Sequence, residues 1–141
     1  MMDRMPVDRN GLEVLDREEC LALLDASVLG RVALSMGALP TILPVNYWCD
    51  GCAVYVRTAP GSKLDAALQN AVVAFEIDEF DSFDHAGWSV VVTGFAREVT
   101  WRDELDRLAS APIARWAPSV DGHVIAISLE LVSGRRLHGG S

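Results

Sequence analysis

The first hydrophobic pattern along the chain is helical. Between residues 16 and 26, Leu21 and Leu24 fall on one face of a helix, and Asp16 stands where an N-cap is expected. Glu19 follows Asp16 by three residues, as in a capping box. Residues 16–26 are therefore predicted to form an amphipathic helix.

Strand-like runs follow this helix. Residues 31–35 and 40–49 are rich in apolar side chains and are separated by a turn at 36–39. Pro44 lies inside the second run and has no backbone N–H to donate to a sheet. We therefore expect this strand to be interrupted, bulged or at an edge near Pro44, with neighbouring backbone groups left free.

A hairpin is the most sharply predicted local structure. Asp50 and Gly51 separate the strand-like runs 42–49 and 52–58, and Asp-Gly is a composition that favours a two-residue type I′ turn. These two runs are therefore predicted to pair as antiparallel strands.

The rest of the pattern is mostly strand. A short helix with Ser62 as its N-cap is predicted at 62–69, and strands are predicted at 71–77 and 88–99. The acidic segment 78–87 is interpreted as a solvated connection between these strands.

The C-terminal third is predicted to hold a helix at 101–109, an irregular connection at 111–122 and a last strand at 123–132. Strands joined mainly by short turns favour a barrel over a doubly wound sheet. The fold class predicted for the chain is therefore mainly β, an antiparallel barrel with a few short flanking helices.

Composition narrows the class of protein. The 141 residues are 50% hydrophobic and 23% charged, which is typical of one packed domain, and the formal net charge of -8 opposes binding to nucleic acids or anionic membranes. The chain has no apolar run of membrane-spanning length, and residues 1–10 lack the apolar core of a signal peptide. A cytoplasmic protein with its three cysteines reduced is expected.

The clearest candidate site is an anion cradle at residues 57–63. A strand delivers Arg57 and Thr58, a Pro-Gly turn follows, and Ser62 and Lys63 open the next helix. A helix start offers unpaired N–H groups, the hydroxyls donate hydrogen bonds, and the two cations suit a phosphate. The alternative is that Ser62 only caps the helix while Arg57 and Lys63 are solvated surface charges.

Six segments, taken in order, resemble the FMN-binding split barrels of the pyridoxamine 5'-phosphate oxidase-like family, which includes nitroimidazole-resistance-type and F420-dependent proteins. The segments are 30–34 (GRVAL), 44–46 (PVN), 56–64 (VRTAPGSKL), 73–78 (VAFEID), 87–94 (GWSVVVTG) and 133–136 (SGRR). The resemblance implies an antiparallel split β-barrel domain at residues 15–137, with an N-terminal extension at 1–14 and a C-terminal tail at 138–141.

The resemblance also implies where a flavin would bind. Its phosphate is expected against the cradle and its isoalloxazine ring along a strand backbone, with a further contact from the start of the long strand. The implied residues are Arg57, Thr58, Ser62 and Lys63 for the phosphate, Pro44, Val45 and Asn46 for the ring, and Trp88 or Ser89 for the further contact.

The other candidate groups are aromatic residues, cysteines and histidines. Trp116 lies in the irregular connection and is a further candidate for covering the ring, whereas Trp48 and Trp101 are expected to pack. Cys49 and Cys52 straddle the predicted hairpin turn rather than opening a helix, so a redox pair is not favoured. The three histidines lack metal-ligand spacing, and no metal site is predicted.

The function implied by the resemblance is a flavin-dependent oxidoreductase. It would transfer a hydride or electrons between bound FMN and a small, heterocyclic substrate, as a homodimer with the cofactor at the subunit interface. No catalytic side chain is identified, and the substrate-binding residues of typical pyridoxamine oxidases have no match near the C-terminus.

Three alternatives remain at this stage. An F420-dependent reductase would need basic residues for the acidic F420 tail, and Arg135 and Arg136 are the candidates beyond the cradle. A non-catalytic protein that sequesters a flavin or haem is the second alternative. A cofactor-free structural dimer is the third.

Overall fold

The computed structural model describes residues 6–110 and 122–138. Eight strands and three short helices are present in these residues. The strands are β1 (Glu13–Leu15), β2 (Leu29–Met36), β3 (Leu39–Cys49), β4 (Ala53–Thr58), β5 (Ala71–Asp81), β6 (Ala86–Glu98), β7 (His123–Ser128) and β8 (Leu131–Leu137). The helices are α1 (Arg17–Ala26), α2 (Lys63–Ala67) and α3 (Arg102–Ala109).

Six of the strands close into an antiparallel barrel. They follow one another in the order β6, β5, β2, β3, β4 and β7, and β7 pairs with β6 to close the ring. β8 pairs with β6 outside this ring, and β1 pairs with β8. The predicted fold class, a mainly β antiparallel split barrel with short helices, is confirmed.

β6 pairs with strands of the barrel and also with β8, which lies outside the barrel. Its residues 87–93 pair with β8, and its residues 96–98 pair with β7. Between these stretches, a Cβ atom added to Gly94 would lie 1.8 Å from the carbonyl oxygen of Ser128. The change of partner strand therefore requires glycine at this position, because the two backbones approach too closely for a side chain.

The core fills the barrel with inward-facing side chains and continues beneath α1. Tyr47 is fully buried, its ring contacts Phe75 edge-on with 4.8 Å between centroids, and its hydroxyl donates to the carbonyl oxygen of Leu24 in α1. Burying a side chain as large as Phe75 stabilises the fold by about 2–3 kcal/mol. These contacts fasten α1 to the barrel.

The helix starts follow the sequence signals. Asp16 caps α1 by accepting from the Glu19 N–H at 2.8 Å, and Ser62 caps α2 by accepting from the Asp65 N–H at 3.0 Å. Both N-caps are confirmed. α2 is only five residues long and ends earlier than the predicted segment 62–69.

The Asp-Gly hairpin is confirmed, but its turn is shifted by one residue. The Asp50 N–H donates to Ala53 O at 3.4 Å, which makes Gly51 and Cys52 the central residues. Gly51 has a φ of 85°, and Cys52 is not among the residues with positive φ. A glycine with positive φ at the first central position is typical of a type II′ turn rather than type I′.

Two predicted boundaries were wrong. The acidic segment 78–87 is mostly strand, since β5 runs to Asp81 and β6 starts at Ala86. The predicted last strand 123–132 is two strands, β7 and β8, with a break after Ser128. β1 was not predicted, and it begins at Glu13, within the stretch assigned to the N-terminal extension.

The predicted irregular connection at 111–122 lies almost entirely outside the described residues. Within the two stretches that are described, none of the helices combines the length and the hydropathy needed to cross a membrane.

Candidate functional site

Part of β3 has an edge that none of the other described strands pairs with. β3 pairs with β2 from Leu39 to Asn46, whereas its register with β4 runs only from Tyr47 to Cys49. The Tyr47 N–H donates to Val28 O at 3.1 Å, on the side of β3 that faces β2. Because successive N–H groups of a strand point to opposite sides, the Asn46 N–H points to the other, open side. The backbone nitrogen of Pro44 faces this side as well, so its missing N–H costs no hydrogen bond to a neighbouring strand. Of the three alternatives predicted for Pro44, the edge position is the one observed.

Arg57 lies beside this edge. Val54 and Val56 point into the barrel core, and Arg57 therefore points outward, together with Tyr55. The Arg57 Nε atom is buried and has no hydrogen-bond partner among the described residues. A buried, unpartnered guanidinium nitrogen is costly unless an acceptor reaches it, which fits an anion at this position.

Thr58 points the other way, into a buried polar network. Its hydroxyl donates to Asp65 Oδ1 at 2.7 Å, and the Gly61 N–H donates to Asp65 Oδ2 at 3.3 Å. The side chain of Asp65 is thus held inside the loop that joins β4 to α2. Thr58 and Asp65 are only 5% and 6% exposed.

His123 completes this network from β7. Its Nδ1 lies 2.9 Å from Asp65 Oδ1 and 3.3 Å from Glu98 Oε1, and the Gln69 amide donates to the same Glu98 oxygen at 3.2 Å. Because Nδ1 faces carboxylate oxygens, it carries the hydrogen and donates. Burial raises the pKa of Asp65, but the hydrogen bonds from Thr58 and His123 outweigh burial, so its pKa lies below the ordinary value. Asp65 is therefore ionised at neutral pH.

The four predicted cradle residues are consequently divided between two faces. Arg57 is on the outer face and Lys63 is exposed at the start of α2, whereas the Thr58 hydroxyl is committed to Asp65. Ser62 is half-buried, and its oxygen already accepts from the Asp65 N–H. The hydrogen of the Ser62 hydroxyl is left to donate.

The ring residues are brought together with Arg57. Pro44 and Asn46 are exposed on the outer face, while Val45 between them is half-buried and packs against the core. The register between β3 and β4 would place Asn46 opposite Arg57 if it continued by one residue. The unpaired β3 edge and the Arg57 side chain therefore form one continuous surface.

Trp88 and Ser89 lie elsewhere in the chain and on opposite faces of β6. Trp88 packs partly against the core, whereas Ser89 points outward in register with Asp78 of β5. Across the sheet, Ser89 is three strands from Asn46, about 14 Å at 4.8 Å per strand. Trp116 lies outside the described residues.

The outer face of the sheet holds the ion pairs of Arg31 with Glu76 and Asp78 between Asn46 and Ser89, and an apolar area lies beside these charges. Its exposed hydrophobic residues share one side of the sheet by register. They are Leu29, Ile42, Val72, Val91, Phe95 and Leu131. Arg31 separates Leu29 from the other five residues, and an exposed apolar area such as these five form is typical of an interaction surface.

The two tryptophans expected to pack and the two cysteines of the hairpin differ in their exposure. Trp48 stacks on Tyr55 with 5.5 Å between centroids, as expected of a packing residue, whereas Trp101 is 74% exposed and does not pack within the described part of the single chain. Burial raises the pKa of the Cys49 thiol, and Cys52 is exposed. A buried thiol with a raised pKa is unreactive.

Asp65 and His123 are the site residues that sequence reasoning missed. His123 was assessed only by metal-ligand spacing, which does not reveal its contact with Asp65. Asp65 follows Ser62 by three residues, the spacing of a capping box, and this spacing was the available signal. The approach of His123 from β7, 58 residues along the chain from Asp65, has no local sequence signal.

The closed six-stranded antiparallel barrel, extended by β8 and β1, defines a split-barrel protein. The chain belongs to the pyridoxamine 5'-phosphate oxidase family, whose model matches residues 16–136.

Similar proteins come from several bacteria. An uncharacterised protein of Mycobacterium tuberculosis is 37% identical over 128 residues, which are 87% of this chain and 84% of that protein. The solved structure of an FAD-binding protein from Mycobacterium smegmatis is similar with a TM-score of 0.74 and 32% identity, over 89% of this chain and 97% of that one. An FAD-binding protein from Mesorhizobium loti is similar with a TM-score of 0.70 and 26% identity, over 89% and 96%.

Proposed function

We propose that this protein is a flavin-dependent oxidoreductase that binds its flavin nucleotide between the unpaired β3 edge and the Arg57–Lys63 segment. The flavin would accept or deliver a hydride or electrons, and the substrate would be a small, heterocyclic molecule. Family membership and the FAD-binding relatives support the flavin.

The single observation that carries the proposal is the buried Nε of Arg57 without a hydrogen-bond partner among the described residues. A phosphate oxygen of the cofactor would supply the missing acceptor, and the exposed Lys63 ammonium would add a second charge. The residues present thus fit the phosphate part of a flavin nucleotide.

The β3 edge would orient the ring. The Asn46 N–H faces the open side, next to Arg57, and it can donate to an acceptor on the pyrimidine edge of an isoalloxazine. The exposed side chains of Pro44 and Asn46 would lie against the ring plane. These residues bind and orient, and the redox chemistry belongs to the cofactor.

A second copy of the chain would complete the site. Pro44, Asn46 and Arg57 share the outer face with the exposed apolar residues, and Ser89 lies on the same face about 14 Å away. A two-fold related partner packed on this face would cover the ring and could bring its own Ser89 toward Pro44. We therefore propose a homodimer with the flavin at the interface.

The choice of flavin is constrained by charge. The sequence favoured FMN over F420. The ion pairs of the two arginines also argue against F420: Arg135 pairs with Asp8 at 2.9 Å, and Arg136 lies 3.5 Å from both Glu13 and Glu19. These two arginines are already neutralised and would add little attraction for an acidic tail. FMN and FAD are the remaining flavins.

A non-catalytic flavin carrier is the second candidate. Pro44 and Asn46 have no titratable group, and the nearest cation on β2, Arg31, is held by Glu76 and Asp78 at 3.2 and 2.7 Å. Among the described residues of this part of the surface, the titratable groups are therefore engaged in ion pairs with one another.

Two measurements test the proposal. The absorbance spectrum and the mass of the ligand released from purified protein identify the cofactor, and a flavin is expected. Reduction of the bound flavin by NADPH or reduced F420, followed by reoxidation by an added acceptor, identifies an oxidoreductase. Flavin that binds but is not reduced by either donor would favour the carrier, and protein that binds no flavin would contradict both.

A further inference from the structure

We infer that Asp65 makes this site select a flavin dinucleotide, whose phosphates are esterified on both sides, over the terminal phosphate of FMN. The inference rests on the proposed flavin site and assigns its specificity to one residue. Asp65 lies two residues after Lys63 and accepts from the hydroxyl of Thr58, the residue next to Arg57.

The first argument is charge. Arg57 and Lys63 bring two positive charges, and the buried Asp65 carboxylate cancels one of them. A terminal phosphate monoester carries nearly two negative charges at neutral pH, whereas each phosphate of a dinucleotide carries one. Glu98, which contacts the same His123 at 3.3 Å, makes a second negative charge still less favourable.

The second argument is the number of donors. The Thr58 hydroxyl and the Gly61 N–H both donate to Asp65, at 2.7 and 3.3 Å, and neither hydrogen is available to a phosphate. The donors left are the Arg57 guanidinium, the Lys63 ammonium and the Ser62 hydroxyl. A monoester has three terminal oxygens to satisfy, and an internal phosphate of a dinucleotide has two, so the reduced donor set suits the dinucleotide.

The test compares three ligands on the apoprotein: FAD, FMN and riboflavin, each titrated by quenching of flavin fluorescence. Wild-type protein is expected to bind FAD more tightly than FMN. Asp65→Asn, which removes the carboxylate charge, should lower the ratio of the FMN to the FAD dissociation constant about fivefold, the order of effect expected for one charge acting through a partly hydrated site. Riboflavin has no phosphate, so its affinity should not change.

Controls separate charge from folding. Asp84→Asn removes the same charge from the exposed β5–β6 turn and should leave the ratio as in wild type. If Asp65→Asn does not fold, Asp65→Ser, which also removes the charge, should give the same change in the ratio, about fivefold. Wild-type protein that prefers FMN, or an unchanged ratio in a folded Asp65 variant that still binds riboflavin, would overturn the inference. Wild-type protein that binds none of the three ligands would overturn the proposed function and this inference together.

Discussion

Thr58 donates its hydroxyl hydrogen to Asp65, with 2.7 Å between Oγ1 and Oδ1, on the inner side of the strand whose outer side carries Arg57. Neighbouring residues of one strand therefore serve two purposes. Thr58 ties the β4–α2 loop to a buried carboxylate, and Arg57 is left with a buried nitrogen that no described residue satisfies. The proposed binding surface thus includes the β4–α2 loop, which the hydrogen bonds to the buried Asp65 hold in place.

Asp50 should make stability depend on pH. It accepts from the N–H groups of Cys52 and Ala53, from the Tyr55 hydroxyl and from Arg107, at 2.7 to 3.0 Å. Burial raises the pKa of Asp50, but these hydrogen bonds outweigh it and lower the pKa below the ordinary 3.8. A carboxyl whose pKa is lowered by folding stabilises above its unfolded pKa, and this contribution is lost as the pH falls through the folded pKa.

Asp50→Asn should therefore lower the free energy of unfolding by about 2 kcal/mol at neutral pH, and by clearly less near about pH 3. Urea denaturation of wild type and variant at the two pH values measures the difference. Asp84→Asn, in the exposed turn, is the control and should cost little at either pH. A loss of the same size at both pH values would show that the charge of Asp50 is not the cause.

Gly94→Ala should open the barrel where β6 changes partners. The added Cβ would lie 1.8 Å from the Ser128 carbonyl oxygen, which is backbone and cannot rotate away. We expect a loss of about 3 kcal/mol or more in the free energy of unfolding. Thr93→Ala, at the half-buried neighbouring position, should cost much less. Equal effects of the two substitutions in urea denaturation would argue against the close approach.

Val72→Lys should break the proposed dimer and weaken flavin binding together. Val72 is 73% exposed on the apolar outer face, and a lysine there would place two cations in the two-fold interface. Light scattering should give twice the 15.3 kDa chain mass for wild type and the single mass for the variant.

Trp101→Lys is the matched control for Val72→Lys. Trp101 is 74% exposed and lies at the start of α3 rather than on a strand, so its substitution should leave both the mass and the flavin affinity unchanged. A wild-type protein with the mass of one chain, or a monomeric Val72 variant with full flavin affinity, would contradict a shared site.

The fold was largely predictable because its signals are local. The Asp16 and Ser62 caps, the Asp-Gly hairpin and the apolar strands each depend on a few neighbouring residues, and all are observed, with the hairpin turn shifted by one residue. Pro44 also gave a correct expectation, since a missing N–H limits the strand edges that it can occupy. β1 and β8 were missed or merged because short strands at the margin of a sheet have little pattern of their own.

The candidate site was predictable only in part. Its residues were selected by motif, which does not tell which face of a strand each occupies. Alternation sends Arg57 outward and Thr58 inward, and likewise separates Ser89 from Trp88. The Asp65–His123 contact joins residues 58 apart through the closure of the barrel, and only the tertiary structure brings them together.

The binding of FAD and riboflavin to the Arg57→Ala, Lys63→Ala double variant tests the central claim most directly. The proposed site predicts that FAD affinity falls about 100-fold relative to wild type, because two charge-assisted contacts to the phosphates are lost, while riboflavin affinity is unchanged. Unchanged FAD affinity in the folded double variant, or an equal loss for both ligands, would contradict it.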